Sequence, residues 1–291
     1  MTYFNFINKR CLIVCGVLFL FVGAASASEP MRVMTFNIRL DSPNDGQNVW
    51  MNRRANLVSM IKFHKADIVG FQEAQKHQLD YILQSLPEYG RIGVGRDDGK
   101  EQGEFSAIIY KKDRFDTLAT STFWCSQTPE HPGKGWDAAY QRIVTYGKMN
   151  DKHSNTIFYM FNTHLDNEGK TARAESAKLI KKKMQLMCGN YPVILTGDFN
   201  SEPNSEPYKI ISSPDTTFTI QLVDTRTITQ SAPYGPKGTF TGFDIKAKPA
   251  FPIDFIFVKK GISALSHGTL SDSFDGYLPS DHYPVLAEII F

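Results

Sequence analysis

Five short polar motifs contain the side chains best suited to chemistry in this chain. At the ends of apolar stretches they offer three carboxylates, two imidazoles and, in Asn37 and Asn200, two amides suited to chemistry. Oxygen ligands bind hard divalent cations such as Mg²⁺ and Mn²⁺, and neutral donors can stabilise phosphoryl oxygens, so the set indicates metal-assisted chemistry at a phosphoester. The motifs are Met34-Thr35-Phe36-Asn37, Phe71-Gln72-Glu73, Asn162-Thr163-His164-Leu165, Thr196-Gly197-Asp198-Phe199-Asn200 and Ser280-Asp281-His282-Tyr283-Pro284.

Strand-like runs must position these motifs. Ile68-Val69-Gly70-Phe71 precedes Glu73, and Val193-Ile194-Leu195 precedes Asp198. Asp198 and Asn200 lie two residues apart, so in an extended chain their side chains point to the same side. Because strands packed side by side bring the residues at their ends to a common rim, we expect the motifs to meet there.

The order of these runs predicts an α/β fold. Strands and helices alternate early and strands dominate late, which is typical of two mixed sheets packed face to face with helices outside. Predicted strands cover Arg32–Ile38, Asp67–Phe71, Ser106–Tyr110, Thr156–Asn162, Val193–Thr196, Ile253–Val258 and Val285–Ile290, and predicted helices cover Arg53–His64, Gln75–Leu86 and Lys170–Met187.

The first 27 residues have the pattern of a secretory signal peptide. Lys9-Arg10 is basic, Cys11 to Ala25 is apolar, and Ala25-Ser26-Ala27 fits a cleavage site. The apolar part is shorter than the roughly 20 residues that a membrane span needs. We therefore expect export after removal of residues 1–27. No linker, low-complexity tract or repeat divides residues 28–291, so we expect one catalytic domain.

The charge balance bears on the partner. The chain has 32 basic and 30 acidic residues, and removal of Lys9 and Arg10 leaves 30 of each. A net charge near zero gives no long-range attraction to a polyanion, which favours a small or medium phosphoester over a long nucleic acid. Cys125 and Cys188 would be the remaining cysteines, and the sequence leaves their pairing open. We expect a monomer without a stable membrane span.

In order, spacing and flanking residues, the five motifs resemble the endonuclease/exonuclease/phosphatase superfamily, and Ile253-Asp254-Phe255-Ile256 adds a motif between the fourth and the fifth. The resemblance runs from about Met31 to Phe291. The stretch around Asp198, taken with Ser280-Asp281-His282, is most similar to the deadenylase-like branch. The resemblance implies a four-layer α/β sandwich and hydrolysis of a phosphoester with Mg²⁺ or Mn²⁺.

The resemblance also implies a metal site. Glu73 is expected to be the main ligand, with Asn37 adjacent to the metal ion or the phosphate and Asp281 as a second carboxylate. Taken alone, Glu73 is also consistent with an acidic residue at a helix N-terminus, and Asn37 with a turn. Only their joint presence with the other motifs favours the metal site.

Five further residues are expected to perform the catalytic step. Asp198 would orient or deprotonate the attacking water, and Asn200 would donate to an oxygen that becomes negative. His164 would donate to a phosphoryl or leaving-group oxygen. Asp254, a lone acid in an apolar strand, would hold His282 in one tautomer.

Two long loops are expected to select the substrate. Ser126–Tyr140 contains Trp136, and Thr225–Pro252 contains Phe240 and Phe243. Aromatic side chains in such loops can stack on a base, a sugar or an apolar chain, or they can anchor the loop to the body of the protein.

Two polar residues complete the predicted substrate site. Glu104 resembles an acidic position of the deadenylase-like branch. Arg142 can clamp a phosphate with its planar guanidinium, although a surface ion pair is an equally good interpretation.

The prediction is an exported, metal-dependent phosphoester hydrolase that acts on a nucleotide, a sugar phosphate or a phospholipid headgroup. A secreted nuclease is the alternative within enzymes. A noncatalytic binding module on the same fold is the alternative outside them, and loss of Glu73, Asp198 or His282 would favour it. All three residues are present.

Overall fold

The computed structural model describes residues 1–3, 29–214 and 216–291. The expected signal peptide at residues 1–27 therefore lies almost entirely outside the described residues. None of the helices in the described ranges is long and apolar enough to cross a membrane.

The described chain folds mainly into two six-stranded sheets with helices between some of the strands. The strands are β1 (Met31–Asn37), β2 (Ile68–Gln72), β3 (Tyr89–Ile92), β4 (Ile108–Lys111), β5 (Phe115–Trp124), β6 (Ile143–Asp151), β7 (Thr156–His164), β8 (Val193–Asp198), β9 (Leu222–Asp224), β10 (Asp254–Lys259), β11 (Ser263–Thr269) and β12 (Val285–Ile290). The helices are α1 (Trp50–His64), α2 (Lys76–Ser85), α3 (Lys170–Cys188), α4 (Glu206–Ser212) and α5 (Thr225–Ile228), and a 3₁₀ helix covers Pro43–Asn48.

The two sheets pack face to face, and helices cover their outer sides. One sheet has the order β11-β12-β1-β2-β4-β3, and the other has the order β5-β6-β7-β8-β10-β9. Leu57 of α1 belongs to an apolar cluster on the first sheet, and Ile180 of α3 to a cluster on the second. A third cluster, which includes Val33 and Met160, fills the space between the sheets. This arrangement confirms the predicted sandwich of two mixed sheets flanked by helices.

Strand register brings the motif residues to one edge of the sandwich. β1 runs parallel to β2 with Asn37 beside Gln72, and β7 runs parallel to β8 with His164 beside Asp198. β10 is antiparallel to β8 and begins with Asp254 opposite Asp198. Because parallel strands end at the same edge and an antiparallel neighbour begins there, side chains that are far apart in sequence become neighbours.

Buried polar side chains join the two sheets beneath that edge. Gln72 Nε2 donates to Asn162 Oδ1 at 2.7 Å, and Asn162 Nδ2 donates to the Phe71 carbonyl at 2.7 Å. A Cβ atom at Gly70 would lie 2.2 Å from Thr196 Oγ1, so the sheets approach here too closely for any other residue. The motif residues thus stand on a closely packed base with buried hydrogen bonds between the sheets, although Gln72 Oε1 has no hydrogen-bond partner in the described structure.

The predicted elements are all present, and the structure adds several further strands and helices, of which β6 is long and mostly buried. α1 begins at Trp50 and not at Arg53, and β7 extends to His164. The sequence did not predict β3, β5, β6, β9 and β11 or the short helices α4 and α5. β5 is mostly exposed and β9 has only three residues, so neither has the continuous apolar run of a buried strand. Cys125 and Cys188 are both buried and unpaired.

Candidate active site

Asp198 lies at the centre of the rim, at the end of β8. Its Oδ2 atom accepts a hydrogen bond from Asn37 Nδ2 at 2.9 Å and lies 3.5 Å from His164 Nε2 and 3.8 Å from His282 Nε2. Its Oδ1 atom accepts from the Asn200 backbone N–H at 2.9 Å. Burial and the nearby Asp254 carboxylate raise the pKa of Asp198 to about 7. A carboxylate with such a pKa can take a proton from water near neutral pH.

Glu73 follows β2 and is joined to Asp198 through Asn37. Asn37 Nδ2 donates to Glu73 Oε1 at 3.0 Å as well as to Asp198, and the Leu40 backbone N–H donates to Glu73 Oε2 at 3.1 Å. The Asn37 amide oxygen accepts from the Arg39 backbone N–H at 3.0 Å. In this arrangement Asn37 orients two carboxylates and does not present its oxygen to the cleft.

The guanidinium of Arg39 lies between two carboxylates. Its Nη1 atom is 4.0 Å from Glu73 Oε2, and its Nε atom is 4.0 Å from Asp281 Oδ2. Asp45 of the 3₁₀ helix holds the same guanidinium with hydrogen bonds of 2.8 and 3.0 Å. Burial raises the pKa of Asp281. Glu73 and Asp281 therefore face one point of the rim, and Arg39 compensates part of their charge.

His282 and Asp254 form a buried pair beside Asp198. His282 Nδ1 lies 2.9 Å from Asp254 Oδ2. Burial is the largest single influence and lowers the pKa of His282, but the carboxylates of Asp254, Asp198 and Asp281 together raise that pKa well above its ordinary value. The charged imidazolium donates from Nδ1 to Asp254 and directs its Nε2–H toward Asp198.

His164 has the opposite protonation preference. Asn200 Nδ2 donates to His164 Nε2 at 2.9 Å and to the Leu165 carbonyl at 3.0 Å. Since the carbonyl requires a donor at that position, His164 Nε2 is the acceptor and Nδ1 carries the proton. Burial lowers the pKa of His164 well below its ordinary value, so the ring is neutral. Its buried Nδ1 has no hydrogen-bond partner in the described structure and lies 4.0 Å from Glu104 Oε2.

Two groups of side chains in the described structure offer ligands for a metal ion. Asp198, Asp254 and His282 have ligand atoms within 4.8 Å of one another. A protonated His282 has no lone pair to donate, however, so this group suits proton transfer and charge stabilisation better than coordination. Glu73 and Asp281 offer carboxylate oxygens, and such hard donors fit Mg²⁺ or Mn²⁺.

Three residues of the rim have left-handed backbone conformations. The φ angles are 56° at Arg39, 61° at Glu73 and 45° at Asn200. Non-glycine residues adopt this region at a cost and keep it only where the surroundings impose it. The hydrogen bonds of Asn37, Leu40 and Asn200 described above supply that constraint.

Arg53 supports the rim from below. Its guanidinium donates to the carbonyls of Arg39 at 2.7 Å and Pro279 at 3.2 Å and also contacts the Ile38 carbonyl. One buried side chain thus holds the segment after β1 and the segment before Asp281. Burial lowers the pKa of Arg53 to about 10, which leaves it charged at neutral pH.

The motif around His282 is attached to the second long loop. The Thr241 N–H donates to the Asp281 carbonyl at 2.7 Å, and the Tyr283 N–H donates to the Thr239 carbonyl at 2.7 Å. The Phe240 ring, between these contacts, packs edge-on against the His282 ring at 5.0 Å. Phe240 remains about half exposed and lines the cleft.

The opposite wall of the cleft contains two arginines and a tyrosine. Arg96 forms paired contacts of 2.8 Å with both carboxylate oxygens of Glu104. Arg142 donates to Asn167 Oδ1 at 2.9 Å. The Tyr140 ring lies 5.3 Å from the Arg96 guanidinium and 5.5 Å from that of Arg142. The cleft between this wall and Phe240 has a volume of about 350 Å³.

The structure therefore places the predicted residues as follows. Four of the five residues predicted to be catalytic line the cleft, and the fifth, Asp254, contacts His282. The cleft is also lined by Glu73, Asp281, Arg142, Glu104 and Phe240. Asn37 lies directly behind it. Trp136 and Phe243 do not line it. Trp136 faces a separate groove against α3, and the Phe243 ring lies 5.7 Å from the Arg53 guanidinium. The long loops reach other surfaces as well, so loop length alone did not identify the residues at the cleft.

Sequence reasoning missed several cleft residues. Arg39 could have been predicted, because it lies two residues after Asn37 and therefore next to a motif. Arg96, Tyr140 and Asn167 had none, because they lie in irregular segments whose paths depend on the tertiary fold.

Comparison with known proteins shows which family of proteins this chain resembles in sequence. Residues 34–282 match the sequence profile described as the Endonuclease/Exonuclease/phosphatase family. A mimivirus protein, L388 of Acanthamoeba polyphaga mimivirus, is 27% identical over 182 residues, which cover 59% of this chain and 68% of that protein.

Solved structures are similar over almost all of the described chain. An endonuclease/exonuclease/phosphatase family protein from Bacteroides thetaiotaomicron superposes with a TM-score of 0.86 at 37% identity and covers 90% of this chain and 99% of its own. A mannosyl-6-phosphatase from Bacteroides thetaiotaomicron VPI-5482 superposes with a TM-score of 0.84 at 38% identity and covers 90% of this chain and 100% of its own. The protein described here belongs to the endonuclease/exonuclease/phosphatase family.

Proposed function

We propose that this protein is an exported, Mg²⁺- or Mn²⁺-dependent phosphatase that hydrolyses a sugar phosphate by attack of water on phosphorus. Members of the family act on phosphoesters and generally depend on a divalent metal ion. The observation that carries the proposal is the position of Asp198, a buried carboxylate within 4 Å of His164 and His282 and in hydrogen-bond contact with Asn37.

The rim residues have different roles in the proposed reaction. Asp198 accepts a proton from the attacking water, since its raised pKa makes it a base near neutral pH. The imidazolium of His282 stabilises negative charge on the phosphoryl oxygens, and Asp254 keeps it charged and oriented. His164 offers its free Nδ1–H to a phosphoryl or leaving-group oxygen.

Glu73 and Asp281 are the residues that would hold the metal ion. Both are nearly buried, Arg39 lies 4.0 Å from each of them, the imidazolium of His282 also compensates Asp281, and Asn37 fixes the orientation of Glu73. When bound, the ion supplies positive charge that polarises the phosphoryl group.

The cleft is suited to a small substrate with one phosphate. A volume of about 350 Å³ lies in the range of small-ligand sites. In Arg142, the Nε and Nη2 atoms contact Asp166 and Asn167, while Nη1 has no partner in the described ranges and remains available to a phosphate oxygen. The half-exposed rings of Tyr140 and Phe240 can pack against a sugar ring. The 38% identical mannosyl-6-phosphatase supports a sugar phosphate as substrate.

Export forms part of the proposal because of the signal-peptide pattern at residues 1–27. N-terminal sequencing of the protein from its native host should give a start near Ser28. Recovery of a chain that begins at Met1 in the cytosol would contradict export and would leave the catalytic proposal intact.

A substrate panel tests the activity. Mannose 6-phosphate, glucose 6-phosphate, AMP, bis(p-nitrophenyl) phosphate and oligo(A) are offered to purified protein with Mg²⁺, with Mn²⁺ and with chelator, and Asp198→Asn serves as the inactive control. We expect phosphate release from the sugar phosphates with the highest kcat/KM, and only with metal. Preferential cleavage of oligo(A) would overturn the proposal in favour of a nuclease.

A further inference from the structure

A second cavity, which we call the amide cavity, lies between the start of α1 and the segment Phe274–Leu278. Its volume is about 400 Å³, and it is separate from the active-site cleft. One wall consists of carboxamide side chains, and the other wall consists of Phe274, Tyr277 and neighbouring residues. The carboxamides are those of Gln47, Asn48, Asn52 and Asn56.

The carboxamides are available to a ligand. The side chains of Gln47, Asn48 and Asn56 make no hydrogen bond to any residue in the described part of the chain, and Asn52 uses only Nδ2, which donates to the Gln47 carbonyl at 2.9 Å. Asn52 and Asn56 are four residues apart on α1 and therefore share one face of the helix. Each carboxamide offers donors and an acceptor side by side, which matches a pair of neighbouring hydroxyl groups.

The aromatic wall is preformed. Phe274 and Tyr277 exchange two backbone hydrogen bonds of 2.8 and 2.9 Å around Asp275 and Gly276. Both turn residues have positive φ, 51° at Asp275 and 88° at Gly276, as a tight Asp-Gly hairpin requires. Both residues line the amide cavity, and Phe274 also packs against the apolar cluster on the first sheet. Tyr277 is 54% exposed.

The charges of the amide cavity disfavour an anionic ligand. Arg53 is the one basic residue among those that line it. Its guanidinium is already committed to backbone carbonyls, including those of Asn48, Arg39 and Pro279. Asp275 adds a negative charge at the mouth. A polyanion would need phosphate contacts that this surface does not offer, whereas a neutral polyhydroxyl compound can use both the carboxamides and the aromatic rings.

The amide cavity is connected to the active site through the backbone. Tyr277 precedes Asp281 by four residues, so the two Cα atoms are at most about 14 Å apart even in a fully extended chain. Arg53 lies at the base of the amide cavity and also holds the Arg39 and Pro279 carbonyls beside the active site. The two cavities are therefore close to each other along this segment of the chain.

We propose that the amide cavity binds a neutral oligosaccharide and that this oligosaccharide is the glycan part of a phosphorylated substrate. The second clause rests on the proposed function. The first concerns binding alone and can be tested without catalysis.

Two single variants test the site, because neither residue belongs to the catalytic machinery. Tyr277→Ala removes the exposed ring, and Asn56→Ala removes an unpaired carboxamide from a helix. Tyr234→Ala is the matched control, since Tyr234 is also exposed but lies outside the amide cavity. Binding of α-mannotetraose is measured by calorimetry, and melting temperatures confirm that all variants are folded.

We expect each cavity variant to weaken α-mannotetraose binding about tenfold or more, while Tyr234→Ala binds like the wild type. With a phosphorylated oligosaccharide, kcat/KM should fall by a similar factor in the cavity variants, and it should stay unchanged with mannose 6-phosphate. Equal binding by the wild type and both cavity variants overturns the proposal, as does preferential binding of an oligo(A) probe at the amide cavity. If no sugar phosphate is hydrolysed but the cavity variants still bind α-mannotetraose more weakly than the wild type, the proposed function fails and the binding site stands.

Discussion

The Oδ2 atom of Asp254 lies 2.9 Å from Nδ1 of His282, and both side chains are almost completely buried. A charge buried at this depth is stable only with a partner, so each residue depends on the other. The pair directs the second nitrogen of the imidazolium toward Asp198. In the proposed mechanism Asp254 is therefore a positioning residue, and His282 is the group that would contact the substrate.

This relationship predicts non-additive losses. His282→Ala should lower kcat about 10²–10⁴-fold, because it removes a positioned charged donor. Asp254→Asn should lower kcat less, and the double variant should resemble His282→Ala, since residues that act as a unit are not additive. Steady-state kinetics of the three variants measure this. Fully multiplicative losses in the double variant would show that the two residues act independently.

Glu73 should dominate metal binding. Glu73→Ala removes one of the two carboxylates that face the same point beside Arg39, so Mn²⁺ affinity measured by calorimetry should fall at least about tenfold. Glu130→Ala, which removes an exposed carboxylate in the separate groove beside α3, is the control and should bind Mn²⁺ like the wild type. An unchanged Mn²⁺ affinity in Glu73→Ala would place the ion elsewhere.

The aromatic residues of the long loops should differ in effect. Phe240→Ala should raise KM for the best substrate about tenfold, because its half-exposed ring lines the cleft beside His282. Trp136→Ala should leave KM unchanged, because Trp136 faces a different groove. Phe243→Ala should mainly lower the melting temperature through lost packing on Arg53. Equal KM values for Phe240→Ala and the wild type would exclude a substrate contact by that ring.

Asn162 should matter for stability and not for binding. Its side chain contacts Gln72, Thr196 and two backbone carbonyls between the sheets, so Asn162→Ala leaves several buried polar groups unpaired. We expect the free energy of unfolding to fall by about 3 kcal/mol. Asn150→Ala, whose side chain makes no hydrogen bond within the described ranges, should change it by less than about 0.5 kcal/mol. Urea unfolding curves compare the two variants, and similar curves would contradict the assigned role.

His267 should make the protein sensitive to acid. Burial lowers the pKa of His267 to about 3, compared with about 6.5 in an unfolded chain. Between these values the unfolded state binds a proton that the folded state does not, so stability is complete above pH 6.5 and declines as the pH falls toward 3. His267→Gln should therefore lose less unfolding free energy than the wild type between pH 7 and pH 5. His131→Gln, at an exposed site, should behave like the wild type.

The local pattern of apolar and polar residues in the sequence was sufficient to predict the strands and helices that carry the motifs. Apolar runs such as Val193-Ile194-Leu195 have the periodicity of buried strands, and a polar residue at the end of such a run must lie at the rim of the sheet. For this reason Asp198, His164 and Glu73 could be recognised from the order of residues alone, together with the family to which the chain belongs.

Only the tertiary structure decided which side chains meet. Asp254 stands opposite Asp198 because β10 pairs with β8 in one register, and a shift of one residue would turn its carboxylate to the other face. Arg96 and Tyr140 reach the cleft from irregular segments, and Phe243 turns toward Arg53 although its loop neighbour Phe240 faces the cleft. Strand register and loop paths depend on packing between distant parts of the chain, and short-range sequence patterns do not contain that information.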